Sequence, residues 1–116
     1  MAGRGTNSPQ PLSFTVPAGA GDYAPEIFYF GIGAQPSQLD AVDEARIHVA
    51  ALPAGAVLEI DLLKSDNTWA TAVDTCAATG LQGLMAFGGL KARMRAKSGG
   101  AAGAATGLAA WTRVTG

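Results

Sequence analysis

Apolar and polar side chains alternate with a period of two residues in three stretches of this chain, 12–16, 56–64 and 90–97. Because successive side chains of a β-strand point to opposite faces, this period predicts strands that each turn one apolar face inward. The four cations of the last stretch would be spread around the axis of a helix, whereas on a strand they form one row. The three stretches therefore predict extended structure at the beginning, middle and end of the chain.

Further segments with alternating or β-forming residues predict additional strands at 26–30, 45–52, 69–75, 84–87 and 104–114. Turn signals such as Pro53–Gly55 and the Ser-Asp-Asn-Thr cluster at 65–68 separate the strands. The long connection 31–44 includes one candidate helical turn at 40–44, and the glycine-rich residues 98–103 predict a hairpin loop. No longer stretch has a helical period.

This order of elements predicts an all-β fold. About seven or eight short strands with regular turns are typical of a single antiparallel β-sandwich or jelly-roll-like domain. A length of 116 residues is that of one domain, which we place at residues 12–116. Residues 1–11 are polar, with two glycines and two prolines, and predict a flexible or extended N-terminal arm. Such an arm either frays or orders against a neighbouring subunit.

Charged residues make up 15% of the chain, against about 25% in an average globular protein. This low fraction predicts that part of the surface is covered by another protein. The net charge of −1 gives no argument for nucleic acid or membrane as a partner. All nine acidic residues lie at or before Asp74, whereas five of the eight basic residues follow it. This asymmetry predicts either acidic strands beside basic strands or a charged interaction face.

Residues for catalysis are scarce. His48 is the only histidine, which excludes a histidine-rich metal site, and its strand position predicts an ordinary half-exposed side chain. Cys76 is the only cysteine, so it forms no internal disulfide and is expected to be a small buried hydrophobe. Neither a P-loop nor a GxSxG motif occurs. We therefore predict no catalytic, cofactor-binding or metal-ligating residue, and a protein that is not an enzyme.

Glu59 and Asp61 lie two residues apart on one face of their predicted strand. Paired carboxylates can hydrolyse glycosides, and Asp61 with the oxygens of 66–67 could contact Ca²⁺. The basic row 91–95 offers a simpler explanation, because opposite charges pair across neighbouring strands. Cross-strand ion pairs are the expected role of the two carboxylates.

The predicted interaction surface combines basic residues with the two tryptophans. Its members are Arg4, Lys91, Arg93, Arg95, Lys97, Trp69 and Trp111. Phosphates of nucleic acid could bind the basic row, but aromatic residues do not interleave with it, so no nucleic-acid partner is predicted. The tryptophans could stack on sugars, although aromatic residues at alternating strand positions more often pack in a core or an interface. No apolar run reaches the roughly 18 residues of a membrane helix, so no membrane partner is predicted.

The segment 58–69 (LEIDLLKSDNTW) combines a strand, a Ser-Asp-Asn turn and a tryptophan. It resembles a hairpin of the small β-sandwich structural proteins of tailed bacteriophages. The run 87–100 (FGGLKARMRAKSGG) and the Ala/Thr-rich closing strand resemble the same group, so that the resemblance covers about residues 56–114.

This resemblance implies a virion structural protein, made in the host cytoplasm and located on the capsid surface. The expected function is that of a capsid decoration or cement protein that stabilises the assembled shell. Its implied partners are the major capsid protein and further copies of the chain, with a trimer favoured. The alternative is a carbohydrate-binding or host-attachment module of a head fibre or tail.

Overall fold

A computed structural model describes residues 3–6, 9–31 and 35–115 and is built almost entirely of β-strands. The described strands, in chain order, are β1 (Gly3–Thr6), β2 (Gln10–Val16), β3 (Tyr23–Tyr29), β4 (Val42–Ala51), β5 (Val57–Leu63), β6 (Trp69–Cys76), β7 (Gly80–Leu90), β8 (Ala92–Lys97) and β9 (Gly103–Thr115). A short 3₁₀ helix, Pro36–Gln38, lies in the connection between β3 and β4.

The strands form two antiparallel sheets that pack face to face. Sheet A has the order β2-β9-β4-β7. The first strand, β1, lies on the same side of β9 as β2: β2 pairs with residues 103–109 of β9, and β1 pairs with residues 112–115. Sheet B has the order β3-β8-β5-β6. From β2 to β9, this order is that of a jelly roll, which is built from two Greek keys. The predicted all-β sandwich or jelly-roll-like fold is therefore confirmed.

The core lies between the sheets because the alternating strands turn their apolar residues toward each other. In β2 the pattern places Leu12, Phe14 and Val16 inside, and in β8 it buries Met94 between two buried alanines. At one end of the core, four aromatic rings pack edge to face at centroid distances of 5.2 to 5.8 Å: Phe28, Phe30, Phe87 and Trp111. The Trp111 indole also donates a 2.8 Å hydrogen bond to Asp40 Oδ2, which ties the connection before β4 to this cluster.

Much of the predicted N-terminal arm belongs to sheet A. Residues 3–6 form β1 and pair in register with residues 112–115 of the same chain. Residues 10–11 are the first two residues of β2. Residues 1–2 and 7–8 lie outside the described residues.

Glu26 joins the edges of the two sheets on one side of the sandwich. Its carboxylate accepts hydrogen bonds from the Thr15 amide, at 2.7 Å, and from the Thr15 hydroxyl, at 2.8 Å. These two bonds lower the pKa of Glu26. They also satisfy a backbone amide of β2, which pairs with β9 alone among the described strands.

Several local predictions are wrong. The helical turn expected at 40–44 is absent, because β4 begins at Val42 and buries Val42 and Ala45 against the core. The alternation at 90–97 is not one strand: Leu90 ends β7 and is exposed, and β8 begins at Ala92. Residues 98–103 are not a hairpin loop, because they connect β8 of sheet B to β9 of sheet A.

Candidate interaction face on sheet B

The outer face of sheet B carries the charged residues of β5 and β8. Their apolar neighbours, among them Ile60 and Met94, are fully buried between the sheets, so strand alternation places the charges on the other face. In the observed register, Glu59 lies opposite Arg95 and Asp61 lies opposite Arg93. The pattern of the sequence thus brings two carboxylates and two guanidinium groups together.

Asp61 is the centre of this cluster and is fully buried. Its Oδ2 accepts hydrogen bonds from Arg93 Nε at 2.8 Å and from Arg95 Nε at 2.6 Å. Its Oδ1 accepts from Arg95 Nη2 at 3.2 Å and from the Ala72 amide at 2.9 Å. The predicted cross-strand ion pairs are confirmed for Arg93 and Arg95.

Glu59 lies beside Asp61 and is only 7% exposed. Its Oε1 accepts a 2.7 Å hydrogen bond from the Tyr23 hydroxyl and lies 3.3 Å from Arg95 Nη2. The bond to Glu59 raises the pKa of Tyr23, because it stabilises the protonated phenol. Arg95 therefore bridges both carboxylates.

Aromatic rings cover the two arginines. The Arg93 guanidinium carbon lies 4.4 Å from the centroid of the Trp69 ring, and that of Arg95 lies 4.3 Å from the centroid of Tyr23. Both distances are within the range of cation–π attraction. We call Trp69, Arg93, Arg95 and Tyr23 the arginine–aromatic row. It covers Glu59 and Asp61 from the solvent side of sheet B.

Burial alone would raise the pKa of Asp61, but the hydrogen bonds from Arg95, the Ala72 amide and Arg93 outweigh it, so its pKa lies below the ordinary 3.8. A carboxyl group whose pKa is lower in the folded than in the unfolded chain stabilises the fold only while it is ionised in the folded state. Its contribution is complete above pH 3.8 and is lost as the pH falls through the pKa of the folded protein.

The free energy of unfolding is therefore expected to fall below about pH 4 more steeply in the native chain than in an Asp61→Asn variant, which lacks this titration. Urea unfolding between pH 2.5 and 6 measures both slopes. Equal slopes for the two proteins would contradict the assignment of this titration to Asp61.

Ala72 lies in a bulge of β6 that Asp61 holds in place. Leu62 pairs with Ala70 and Ile60 with Asp74, so three residues of β6 span a single residue of β5. Ala72 has a φ of 51°, in the left-handed region that alanine seldom adopts. The hydrogen bond from the Ala72 amide to Asp61 offsets part of this conformational cost.

An Ala72→Gly variant is expected to be more stable than the native chain by about 0.5–1 kcal/mol. Glycine removes a left-handed penalty of roughly 1–2 kcal/mol, and its greater freedom in the unfolded chain returns about half of that. Ala70→Gly, at a position without a positive φ, is the matched control and is expected to be destabilised. Urea unfolding gives both signs, and destabilisation of both variants would contradict the strain at Ala72.

The other predicted surface residues do not join the row. Trp111 is 4% exposed and belongs to the core, so it is not part of an exposed surface. Lys91 lies at the junction between β7 and β8, where its carbonyl accepts a hydrogen bond from the Leu63 amide. Lys97 continues β8 beyond Arg95 and is half-buried opposite Tyr23. Arg4 pairs with Val114 through the backbone, and its side chain lies outside the described residues.

The roles of two residues at this site were not predicted from the sequence. Tyr23 precedes the predicted second strand and lacks an alternating neighbourhood, yet it pairs with Lys97 and reaches Glu59. Asp61 was expected to form surface ion pairs and is instead fully buried. Asp61 lies between two apolar residues of its strand and opposite a basic strand, and this position is the sequence signal that could have indicated its burial.

The remaining chemically interesting side chains occupy ordinary positions. Cys76 is buried, and burial together with the charge of Asp74 raises the pKa of its thiol to about 11. His48 is exposed on β4, on the opposite sheet. Among the described residues, no group of three histidine, cysteine or acidic side chains could hold a metal ion. None of these residues forms a helix with the length and hydrophobicity that a bilayer crossing requires.

Comparisons of the chain with protein-family models, with curated proteins and with solved structures each gave no match. The chemistry of the row and the fold that presents it therefore carry the functional argument.

Proposed function

We propose that this chain is a virion structural protein, a capsid decoration or cement protein that binds the assembled shell of a major capsid protein and stabilises it. The observation that carries the proposal is the arginine–aromatic row on the outer face of sheet B. Tryptophan, tyrosine and arginine are the residues most enriched among those that dominate the energy of protein–protein interfaces.

Two properties of the row suit a docking surface. Its side chains are held by hydrogen bonds and ring contacts, so ordering them on binding costs little further entropy. The row is also flanked by apolar surface, since Ile27 lies opposite Arg95 on β3 and is 38% exposed. Aromatic residues and arginine beside apolar area are typical of protein–protein interfaces.

The fold and the composition support the same proposal. Jelly rolls occur in viral capsid proteins and in lectins, and a charged fraction of 15% fits a surface that is partly covered in an assembly. A protein that binds only the assembled shell stabilises it by RT ln(1 + [L]/Kd) for each bound copy. Many copies on a symmetric shell make weak individual contacts sufficient.

Sedimentation with capsids tests the proposal directly. The purified chain is mixed with shells that have been stripped of it and, separately, with unassembled major capsid protein of the same virus. It is expected to sediment with the shells, to bind the free subunits weakly and to raise the temperature at which the shells dissociate. Failure to bind the stripped shells would overturn the proposal.

The proposal includes self-association into a trimer on the shell. The single chain has a mass of 11.6 kDa, so light scattering distinguishes a trimer from a monomer both free and after release from shells. A strictly monomeric protein in both states would remove the trimer and leave the shell-binding proposal unchanged.

A carbohydrate-binding or host-attachment module is the second candidate, and the two rings of sheet B favour it. Tyr23 is 39% exposed and Trp69 is half-buried on the same face, where sugars could stack. Each ring, however, is already covered on one side by an arginine. A glycan array with the native chain and a Trp69→Ala variant decides between the candidates, since saturable binding that the variant loses would establish the second.

A further inference from the structure

We propose that the arginine–aromatic row on sheet B recognises carboxylates of an acidic protein segment. Arg93 is the principal contact, and the neighbouring Lys97 is a second one. This inference rests on the proposed function in that it takes the partner to be a protein. It goes further by naming the partner's chemistry and the side chain that binds it.

Arg93 and Arg95 differ in the hydrogen bonds that their guanidinium groups make. Arg95 uses Nε and Nη2 to bind Asp61 side-on, and Nη2 also reaches Glu59. Arg93 uses only Nε, which donates to Asp61 Oδ2 at 2.8 Å. Within the described part of the chain, neither terminal nitrogen of Arg93 has a hydrogen-bond partner. Its side chain is 18% exposed, so an external group can reach it.

The remaining edge of Arg93 has the geometry of a carboxylate site. The two terminal nitrogens of a guanidinium group form a planar fork that binds both oxygens of a carboxylate at once. In Arg93 this fork is held in place, because Nε donates a hydrogen bond to a buried acid and the guanidinium carbon lies 4.4 Å from the centroid of the Trp69 ring. A fixed fork loses little conformational entropy when it binds.

The charge of the surrounding surface favours an acidic partner. The two acids of the cluster, Glu59 and Asp61, are 7% and 0% exposed and lie behind the arginines. The more accessible side of the row is therefore cationic. Lys97 extends it, lying four residues along the strand from Arg93 at about 13 Å. An extended acidic segment beside β8 would meet a cation at both positions.

Titration with a defined acidic peptide tests this inference in the native protein. The chain, labelled with ¹⁵N, is titrated with hexaglutamate and with hexaglutamine while the side-chain Nε–H signal of Arg93 is followed. Hexaglutamate is expected to shift this signal and the backbone signals near Lys97 saturably, and 0.5 M NaCl should abolish the shift. The absence of any shift at Arg93, or equal shifts with hexaglutamine, would overturn the inference.

Variants then assign the contact. Arg93→Gln is expected to weaken hexaglutamate binding by about tenfold, and Lys97→Gln by a smaller factor. Arg46→Gln is the matched control, because Arg46 is exposed on β4 of the other sheet, and it is expected to leave affinity unchanged. Since Arg93→Gln also removes a bond to Asp61, its fold is checked by the dispersion of its amide spectrum. Equal losses in the Arg93 and Arg46 variants would overturn the assignment.

The inference and the proposed function fail separately. A chain that binds stripped shells equally well with Arg93→Gln or in 0.5 M NaCl refutes carboxylate recognition and leaves shell binding intact. A chain that binds hexaglutamate through Arg93 but ignores the shells refutes the decoration proposal and leaves the carboxylate site standing.

Discussion

Replacing Asp61 with alanine is expected to lower the free energy of unfolding by about 3 kcal/mol, the lower end of the range for breaking a buried ion pair. The substitution leaves Arg93 and Arg95 without their shared acceptor and the Ala72 amide without its partner. The lower end applies because both arginines are partly exposed, 18% and 16%, so that water can solvate them. Urea unfolding at pH 7 measures the loss.

Asp74→Ala is the matched control for this variant. Asp74 is an exposed acid of β6 whose carboxylate, within the part of the chain that the structure describes, accepts a single hydrogen bond from the Thr75 amide, so its loss should cost about 0.5 kcal/mol or less. Asp61→Asn should fall between the two, since its amide oxygen can still accept hydrogen bonds but carries no charge. Similar stabilities for the Asp61→Ala and Asp74→Ala variants would mean that the cluster contributes nothing to the fold.

Replacing Phe30 with alanine is expected to cost about 3–5 kcal/mol, the usual range for a buried aromatic residue. Phe30 is fully buried, and its ring packs edge to face against Phe28, Phe87 and Trp111. The substitution leaves a cavity that those rings cannot fill without losing their mutual contacts. Thermal and urea unfolding measure the effect, together with the change in tryptophan fluorescence that the altered surroundings of Trp111 should cause.

Leu108→Ala provides the comparison for the Phe30 variant. Leu108 is a large apolar residue on β9 that is 46% exposed, so its truncation removes little buried area and is expected to cost less than about 1 kcal/mol. A loss at Phe30 no larger than that at Leu108 would contradict the aromatic cluster as a principal part of the core.

The period-two pattern was enough to predict the fold class because it reports directly which side of a strand is buried. Leu12, Phe14 and Val16 alternate as expected, and the predicted strand 56–64 corresponds to β5, Val57–Leu63. The same pattern could not reveal where one strand ends and the next begins. At Lys91 the alternation continues unbroken while the chain passes from sheet A to sheet B.

Contacts between distant residues were less predictable. The pairing of Asp61 with Arg93 and Arg95 followed from opposite charges on strands of matching period. The burial of Asp61 did not, because it depends on Trp69, Tyr23 and the bulge of β6 covering that face. Trp111 was assigned to the surface by its residue type, whereas its position in the core depends on ring contacts with Phe28 of β3 and with Phe30, which follows that strand.

The bulge at Ala72 affects the outer edge of sheet B. Among the described strands, β6 is the outer strand on one side of sheet B, and Val73 in its middle is 49% exposed. A flat, regular outer strand would allow another molecule to add its own strand, which is a first step toward fibrils. Because Asp61 draws the Ala72 amide inward, the ladder is interrupted where such growth would start. The hydrogen bond between Asp61 and the Ala72 amide is therefore expected to hinder the addition of a foreign strand at this edge of sheet B.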